Sequence, residues 1–300
     1  MPNPSITVII LTYNQRETTL ACVESLIAGR RMPFNILVWD NGSNDGTLEA
    51  LETAFPEVRM HCHTENLGVA GGRNAAAQLA IRDMAPTHLL FLDNDMVVEP
   101  GFVAALYAPF REALDIGQTQ AKLRFMHDRQ RLNDGGGCRI NFMLGRTRPV
   151  GYGEIDHGQY DRIVPCISCG GAMLVRREIF EQLGGFDLTF NPFGPEDLDF
   201  SLRLQKAGYR ALYAPGAVAY HAVSHTFGGG YSEDYARHKS RHWLVFLKRH
   251  APLWQQVVFY TITAPWLFLK VLFREIRKGN PAAVRGVLQG VLRGGKAERK

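Results

Sequence analysis

The stretch Thr87-His88-Leu89-Leu90-Phe91-Leu92-Asp93-Asn94-Asp95-Met96-Val97 carries an apolar run straight into an acidic triplet. A short apolar run bounded by polar residues reads as a buried strand. Such strands belong to parallel sheets covered by helices on both faces. Ligands of open α/β sheets bind just beyond the carboxyl ends of the strands. Two carboxylates at i and i+2 in that position, Asp93 and Asp95, can hold a hard cation and, through it, a phosphate. Asp and Asn are also turn formers, so this stretch by itself leaves a solvated turn open.

Upstream the same alternation recurs. Residues 5–13 (SITVIILTY) are β-branched and apolar, a central buried strand that ends in Thr12-Tyr13-Asn14. Glu17 to Ala28 reads as a helix with Leu20, Val23, Leu26 and Ile27 on one face and Gly29 at its end. Phe34 to Trp39 is a second strand, followed by the turn-rich Asp40 to Thr47 and a helix to Phe55. Val58 to His63 is a third strand. It leads into NLGVAGGRNAAAQLAI, a Gly-rich turn running into an Ala-rich helix. Strand and helix alternating in this way predict an α/β fold: a right-handed, doubly wound, mostly parallel sheet with helices on both faces.

Downstream, residues 117–165 are irregular, with Gly135-Gly136-Gly137 among them, and suggest a small antiparallel or mixed extension. Cys169 to Val175 reads as a strand closing on a helix, Arg177 to Leu183. Pro195-Glu196-Asp197-Leu198-Asp199 opens another helix, with proline and acids in the first turn where they belong, and Gly208 stops it. Tyr209 to Tyr213 and Ala217 to His221 read as two short strands. Ser224 to Asp234 reads as a mobile loop.

The chain of 300 residues, 46% hydrophobic, can build one large α/β domain or two small ones. The opening MPNPSITVII has no basic n-region or cleavage pattern, so no secretory signal is expected. Five cysteines without framework spacing suit a reducing compartment. Cys166 and Cys169 form a lone CxxC, short of the four ligands that a structural zinc needs; ordinary packing is expected there.

The net charge of +5 is uneven. Residues 270–300 hold nine Lys/Arg against two Glu, which leaves the preceding residues at −2. Tyr235 to His250 reads as a basic helix. Leu253 to Phe273 approaches the length of a membrane span, with Pro265 in its middle and basic residues at both ends. Val284, Val287, Leu288, Val291 and Leu292 repeat the amphipathic pattern. These segments suggest a helix pair lying in the interface of an anionic membrane. A true span, or packing on the domain or on a second subunit in a homo-oligomer, is the alternative. No nucleic-acid recognition module is apparent.

Four clusters fall at successive strand ends: Asp40 with Asp45, Gly68 to Arg73, Asp93 with Asp95, and Glu196-Asp197. The Gly-rich turn is not GxGxxG, and no GxxxxGK[ST] loop exists, which disfavours a dinucleotide site and a P-loop. What remains is a cleft of carboxylates with one arginine and a divalent cation, suited to a diphosphate-bearing substrate. A further carboxylate can take a proton from an attacking hydroxyl.

With those residues in hand, the runs TVIILTYN, ILVWDNGSNDGT, NLGVAGGRNAA and LLFLDND resemble the nucleotide-sugar-binding half of the family 2 inverting glycosyltransferases, which have the GT-A fold. GGAMLVRREIFEQLGGFD, FGPEDLDFSLRLQKAGYR and AVAYH resemble the acceptor half, in its rhamnosyltransferase-like branch. The resemblance covers residues 5–250. It implies a nucleotide-sugar half over 1–115, an acceptor-binding and catalytic half over 116–250, and a basic amphipathic tail over 251–300. It also implies roles. Thr12, Tyr13, Asn14, Asp40 and Asp45 would line the nucleoside pocket, with Asp40 accepting from a uracil or thymine ring. Gly71 and Arg73 would approach the ribose and diphosphate. Asp93-Asn94-Asp95 matches the DxD motif on the nucleotide sugar, with Asp95 on Mn2+ or Mg2+ and Asp93 at the ribose or on the metal through water. Asp197 would be the general base, with Glu196 orienting it or the acceptor. His221 matches a histidine that ligates the metal in some members.

The reaction implied is a single displacement that moves a sugar from a UDP or dTDP sugar to a hydroxyl of a glycan or lipid-linked acceptor, in cell-surface polysaccharide synthesis. The enzyme would be cytoplasmic and peripheral at the inner face of the plasma membrane. Processive members carry QxxRW; here the region reads RHKSRHW (237–243), which predicts addition of one or a few sugars. A nucleotidyltransferase of similar fold would need a Gly-rich basic loop after the first strand, and LTYNQRETT has none. A non-catalytic assembly partner would not need both acidic pairs. Sugar choice is expected to lie in the 117–170 region.

Overall fold

A computed structural model of the chain describes residues 4–168, 170–223 and 231–294. Cys169 of the CxxC pair and residues 224–230 of the expected loop lie outside the described residues. In chain order the elements are β1 (Ile6–Thr12), α1 (Arg16–Ala28), β2 (Asn35–Asp40), α2 (Thr47–Ala54), β3 (Arg59–Cys62), α3 (Gly68–Met84), β4 (His88–Asp93), β5 (Met96–Val98), α4 (Phe102–Tyr107), β6 (Ile116–Phe125), β7 (Leu132–Asp134), β8 (Cys138–Asn141), β9 (Arg146–Pro149), β10 (Val164–Pro165), β11 (Ala172–Arg176), α5 (Arg177–Gln182), α6 (Glu196–Lys206), β12 (Arg210–His221), α7 (Glu233–His250), α8 (Leu253–Val258), α9 (Ala264–Arg277) and α10 (Pro281–Gly294). They form two compact units. The first is Met1–Cys138, Pro149–Leu188 and Asp197–Ser224; the second is Arg139–Arg148, Thr189–Glu196 and His225–Lys300.

The first unit is a mixed, mostly parallel sheet of order β10-β12-β6-β11-β4-β1-β2-β3, with β5 on β12 and β7 on β6. The stretch 87–97 lies at its centre. Leu89, Leu90, Phe91 and Leu92 are buried, because helices cover both faces of a parallel sheet and leave no wet side. One core (Val8, Ile10, Leu90, Leu92, Phe102, Leu174) fills one face; a second (Ile9, Leu37, Phe91, Phe180, Phe186, Phe200) fills the other. The register aligns strand ends: Thr12 pairs with Asp40 across β1–β2, and Leu11 with Asp93 across β1–β4.

Two readings of the sequence need correction. β6, read as part of a small irregular extension, is a ten-residue strand next to the centre. Its polar residues Gln118, Thr119, Gln120 and Lys122 are all buried. Most of these groups are partnered: Thr119 donates to the Leu106 carbonyl, Gln120 to the Gly170 carbonyl, Lys122 to Asp156 and Asp161, and the Gln118 amide to Met173 Sδ, while Gln118 Oε1 has no partner among the described residues. Satisfied polar groups can be buried at little net cost, so hydropathy does not reveal this strand. The second correction concerns Tyr209 to Tyr213 and Ala217 to His221. They are one strand, β12, and Pro215-Gly216 sits at a bulge between Ala214 and Val218.

The second unit is mostly helical, with most of the two-stranded sheet β8-β9. Ser232 caps α7, accepting from the Tyr235 N–H. α10 lies on α7 through Gly286, Gly290 and Gly294, where an added Cβ would run into the backbone at Glu233 and Arg237 and the Leu244 side chain. The amphipathic tail segment 284–292 is thus half occupied by a protein neighbour. α8 and α9 are not broken at Pro265. A π-helical turn, Phe259–Thr263, joins them into one helix from Leu253 to Arg277. Proline removes an N–H and crowds the preceding turn, and a local widening accommodates this without a kink.

Candidate active site at the carboxyl edge of the sheet

Three strands of the first unit converge on one corner. β4 ends in Asp93, Asp95 follows in the tight turn to β5, and the end of β12 pairs His221 with Met96. One ligand atom each from Asp93, Asp95 and His221 lies within 4.8 Å of the others. His221 Nε2 is 3.3 Å from Asp95 Oδ1, and its Nδ1 is 3.0 Å from Asn133 Oδ1. Since that amide oxygen can only accept, Nδ1 carries the proton and Nε2 faces the carboxylates. Burial alone would lower the imidazole; the hydrogen bond and charge of Asp95, with the charge of Asp93, outweigh it and raise the group above its ordinary value. Two carboxylates and one oriented imidazole are a donor set that suits Mn2+ or Mg2+.

Beside this corner, Arg73 of α3 reaches Asp93 Oδ1 at 2.5 Å. Arg73 is buried, with its guanidinium 5.8 Å from the Phe186 ring centroid. α3 begins at Gly68, so Gly71 and Arg73 both lie in its opening turns, nearest the sheet edge. Gly72 lets this turn close on Leu11 and Asn41.

Asp197 lies in the first turn of α6, where the Leu198 N–H donates to its Oδ1 at 2.7 Å. Burial pushes its carboxyl up to about 6; the Asp93 charge adds to this, while Arg73 and the Leu198 N–H pull the other way. Gly170 makes room for it. A Cβ at Gly170 would overlap Asp197 Oδ2, and its φ of +82° is a left-handed value that disfavours any side chain. Glu196, one residue earlier, belongs to the second unit. It is buried and accepts from the Gly194 N–H at 3.0 Å.

The nucleoside residues divide into two kinds. Asp40 is buried, and the Ser43 N–H donates to its Oδ1 at 2.9 Å. Its Oδ2 is buried without a hydrogen-bond partner among the described residues. A buried carboxylate oxygen left unpaired is costly, so this atom is a candidate acceptor. Tyr13, which follows Thr12 at the end of β1, is exposed. The rest are occupied locally. Thr12 Oγ1 bonds Thr19 Oγ1 at 2.8 Å, and the Asn94 amide donates to both. Asn14 Oδ1 accepts from Asn44 N, and the Asn14 N–H donates to Ser43. Asp45 accepts from Arg16 N and from Thr47. Those hydrogen bonds with Thr47 and Arg16 outweigh the desolvation that would raise Asp45, and hold it below the usual carboxylate value. Thr12, Asn14, Asp45 and Asn94 therefore brace the loops that carry Asp40 and Asp93.

No local pattern in the sequence points to Asn133 or Thr19. Asn133 lies 88 residues from its histidine, and no local pattern links them. Gly170 carries a weak signal: a Gly-Gly pair entering a buried strand marks a close approach of backbone to something.

A family model described as "Glycosyltransferase like family 2" matches residues 2–243. An N-acetylglucosaminyl-diphospho-decaprenol L-rhamnosyltransferase of Mycobacterium tuberculosis (strain CDC 1551 / Oshkosh) is 28% identical over 275 residues, 85% of this chain and 88% of that one. An N-acetylglucosaminyltransferase of Azorhizobium caulinodans is 30% identical over 228 residues, 72% of this chain and 54% of that one. GalNAc-T7, solved with UDP, GalNAc and Mn2+, superposes with a TM-score of 0.66 at 18% identity. That match covers 82% of this chain and 48% of the other, so the chain spans about half its length. A mannosyltransferase from Pyrobaculum calidifontis, in complex with GDP-Man and Mn2+, superposes with a TM-score of 0.55 at 19% identity, over 99% of this chain and 77% of that one. At such identities the structural likeness is one of fold.

Proposed function

The chain belongs to glycosyltransferase family 2 and its activity is glycosyl transfer; from that premise we propose that it moves a sugar, with inversion, from a UDP or dTDP sugar to a hydroxyl of a glycan or lipid-linked saccharide in cell-surface polysaccharide synthesis. The observation that carries this reading is the setting of Asp93. It faces Arg73 on one side and the Asp95–His221 pair on the other, and its charge reaches Asp197. A diphosphate binder and a base thus lie side by side.

Asp197 takes the proton of the acceptor hydroxyl. The hydroxyl oxygen forms a bond to the anomeric carbon as the bond from that carbon to the diphosphate oxygen breaks, and the nucleoside diphosphate leaves with the electron pair. A base raised to about 6 is ionised at neutral pH yet basic enough to accept. Arg73 steadies the diphosphate as its charge grows. Asp93, Asp95 and His221 would hold Mn2+ or Mg2+, which supplies positive charge for the leaving group. Asp40 Oδ2 receives the ring N–H of a uracil or thymine, and its lack of a partner supports that choice of base. Glu196 acts on the orientation of the acceptor side. The enzyme works at the cytoplasmic face of an anionic membrane, through residues 252–300, and adds one or a few sugars.

Asp197→Asn tests the reading. Transfer is expected to fall by about 10²–10⁴-fold, with Mn2+-dependent thermal stabilisation by UDP or dTDP retained. Near-normal transfer by this variant overturns the assignment of the base.

A further inference from the structure

The helix Leu253–Arg277 is long and apolar enough, by length and composition, to cross a membrane. Its side chains divide into three stripes. Phe259, Thr263 and Glu275 are buried along one side. Phe259 packs with Leu247, Trp243 and Phe142, and farther along Phe268 and Val271 pack with Ala236, Ala283 and Val287. On the opposite side Trp254, Ile262, Trp266, Leu269, Phe273 and Ile276 are each at least half exposed. One residue on from this apolar row, about 100° around the helix, run Lys270, Arg274 and Arg277, all exposed, with Lys278 after them. Lys270 Nζ lies 5.2 Å from the Trp266 ring centroid.

We propose that this helix lies flat in the interface of an anionic lipid bilayer, immersed by its Trp254–Ile276 face, and does not cross it. A crossing helix would have to give up the protein contacts that run from Phe259 to Glu275. A half-immersed helix keeps them all. The cations stand at the edge of the apolar face, where headgroup phosphates lie, and the two tryptophans suit the boundary between tails and water. A second copy of the chain fits this face less well. The helix and the residue after it show four exposed cations and no exposed acid, so they offer a twin no opposite charge. α10 acts as a brace, with its glycine face held by α7.

This inference deepens the proposed lipid-linked acceptor but is read without any sugar transfer. The full chain is mixed with vesicles of phosphatidylcholine and phosphatidylglycerol, and co-sedimentation is measured. Binding is expected, weakened at least tenfold by Trp266→Glu. It is weakened roughly fivefold by each of Lys270→Glu and Arg277→Glu, and by high salt. Unchanged thermal stabilisation by nucleotide in these variants shows that they fold.

Depth separates the geometries. Trp254 and Trp266 stand about 18 Å apart along a helix axis. With brominated lipids, removing either by Trp→Phe should cut shallow quenching alike. Depths that differ by most of that spacing would mean a crossing helix and overturn the proposal. So would a failure to bind vesicles, or a dimer that shields both tryptophans in the absence of lipid.

Discussion

The carboxyl edge of the sheet and the helix Leu253–Arg277 depart from the usual interior and surface of a soluble domain in opposite senses. At the sheet edge, charged and polar groups such as Asp40, Arg73 and Asp95 are buried. Along the helix, Leu253, Trp254, Ile262 and Phe273 are exposed. In the proposed reading both departures receive a ligand, but the ligands differ in kind. Buried polar atoms are directional, so the edge specifies its partner atom by atom. Exposed apolar surface is non-directional and acts in proportion to area. One region should therefore fail sharply on small changes, and the other gradually.

The sharpest case is Gly170→Ala. It adds one methyl group, but at a left-handed φ and into the Asp197 carboxylate. Transfer should fall by about 10²-fold or more, since a displacement of about 1 Å at a catalytic group costs that much, while nucleotide stabilisation remains. The pH profile gives a second readout. With its carboxyl raised to about 6, Asp197 loses the base form as pH falls, and the rate should drop about tenfold per unit below that value. A bound cation would lower the value further, so the wild-type limb lies at or below about 6. In Gly170→Ala the displaced carboxylate should shift that limb. An unchanged limb with an unchanged rate would mean that Gly170 does not set the base.

Next in size is Asn133→Ala. It leaves every proposed ligand in place and removes only the acceptor that fixes the His221 ring. Loss of such an orienting partner weakens metal binding about 10–100-fold. Titrating Mn2+ against thermal stability should show that shift, with transfer near normal at saturating metal. A variant that binds Mn2+ as tightly as the parent would show that the ring needs no orienting partner.

These two residues also mark where the sequence stops being informative. The parallel sheet was legible because Leu89–Leu92 and Ile6–Ile10 are unbroken apolar runs, and Asp93, Asp95 and Asp197 stood out as acids at the ends of predicted elements. β6 was not legible, because Gln118, Gln120 and Lys122 are buried with partners that lie 34 to 55 residues away. For the same reason, Thr12, Asn14 and Asp45 could be placed at strand ends, but not recognised as loop braces. Chain position follows from local pattern, whereas the partner of a given atom depends on contacts that local pattern does not contain.

The smallest effects belong to the helix, and there the test is additivity. Leu269→Ala and Phe273→Ala each remove apolar area from the immersed face, worth about 1 kcal/mol or roughly fivefold in vesicle binding. The two side chains share no directional bond, so the double variant should lose about the product, roughly 25-fold. At the sheet edge, Gly170→Ala and Asp197→Asn act on one carboxylate, and the pair should cost little more than Asp197→Asn alone. Vesicle co-sedimentation and transfer rates measure the two cycles. A strongly non-additive pair on the helix would mean that Leu269 and Phe273 fill a shaped pocket on another protein, since a fluid bilayer accepts each side chain independently.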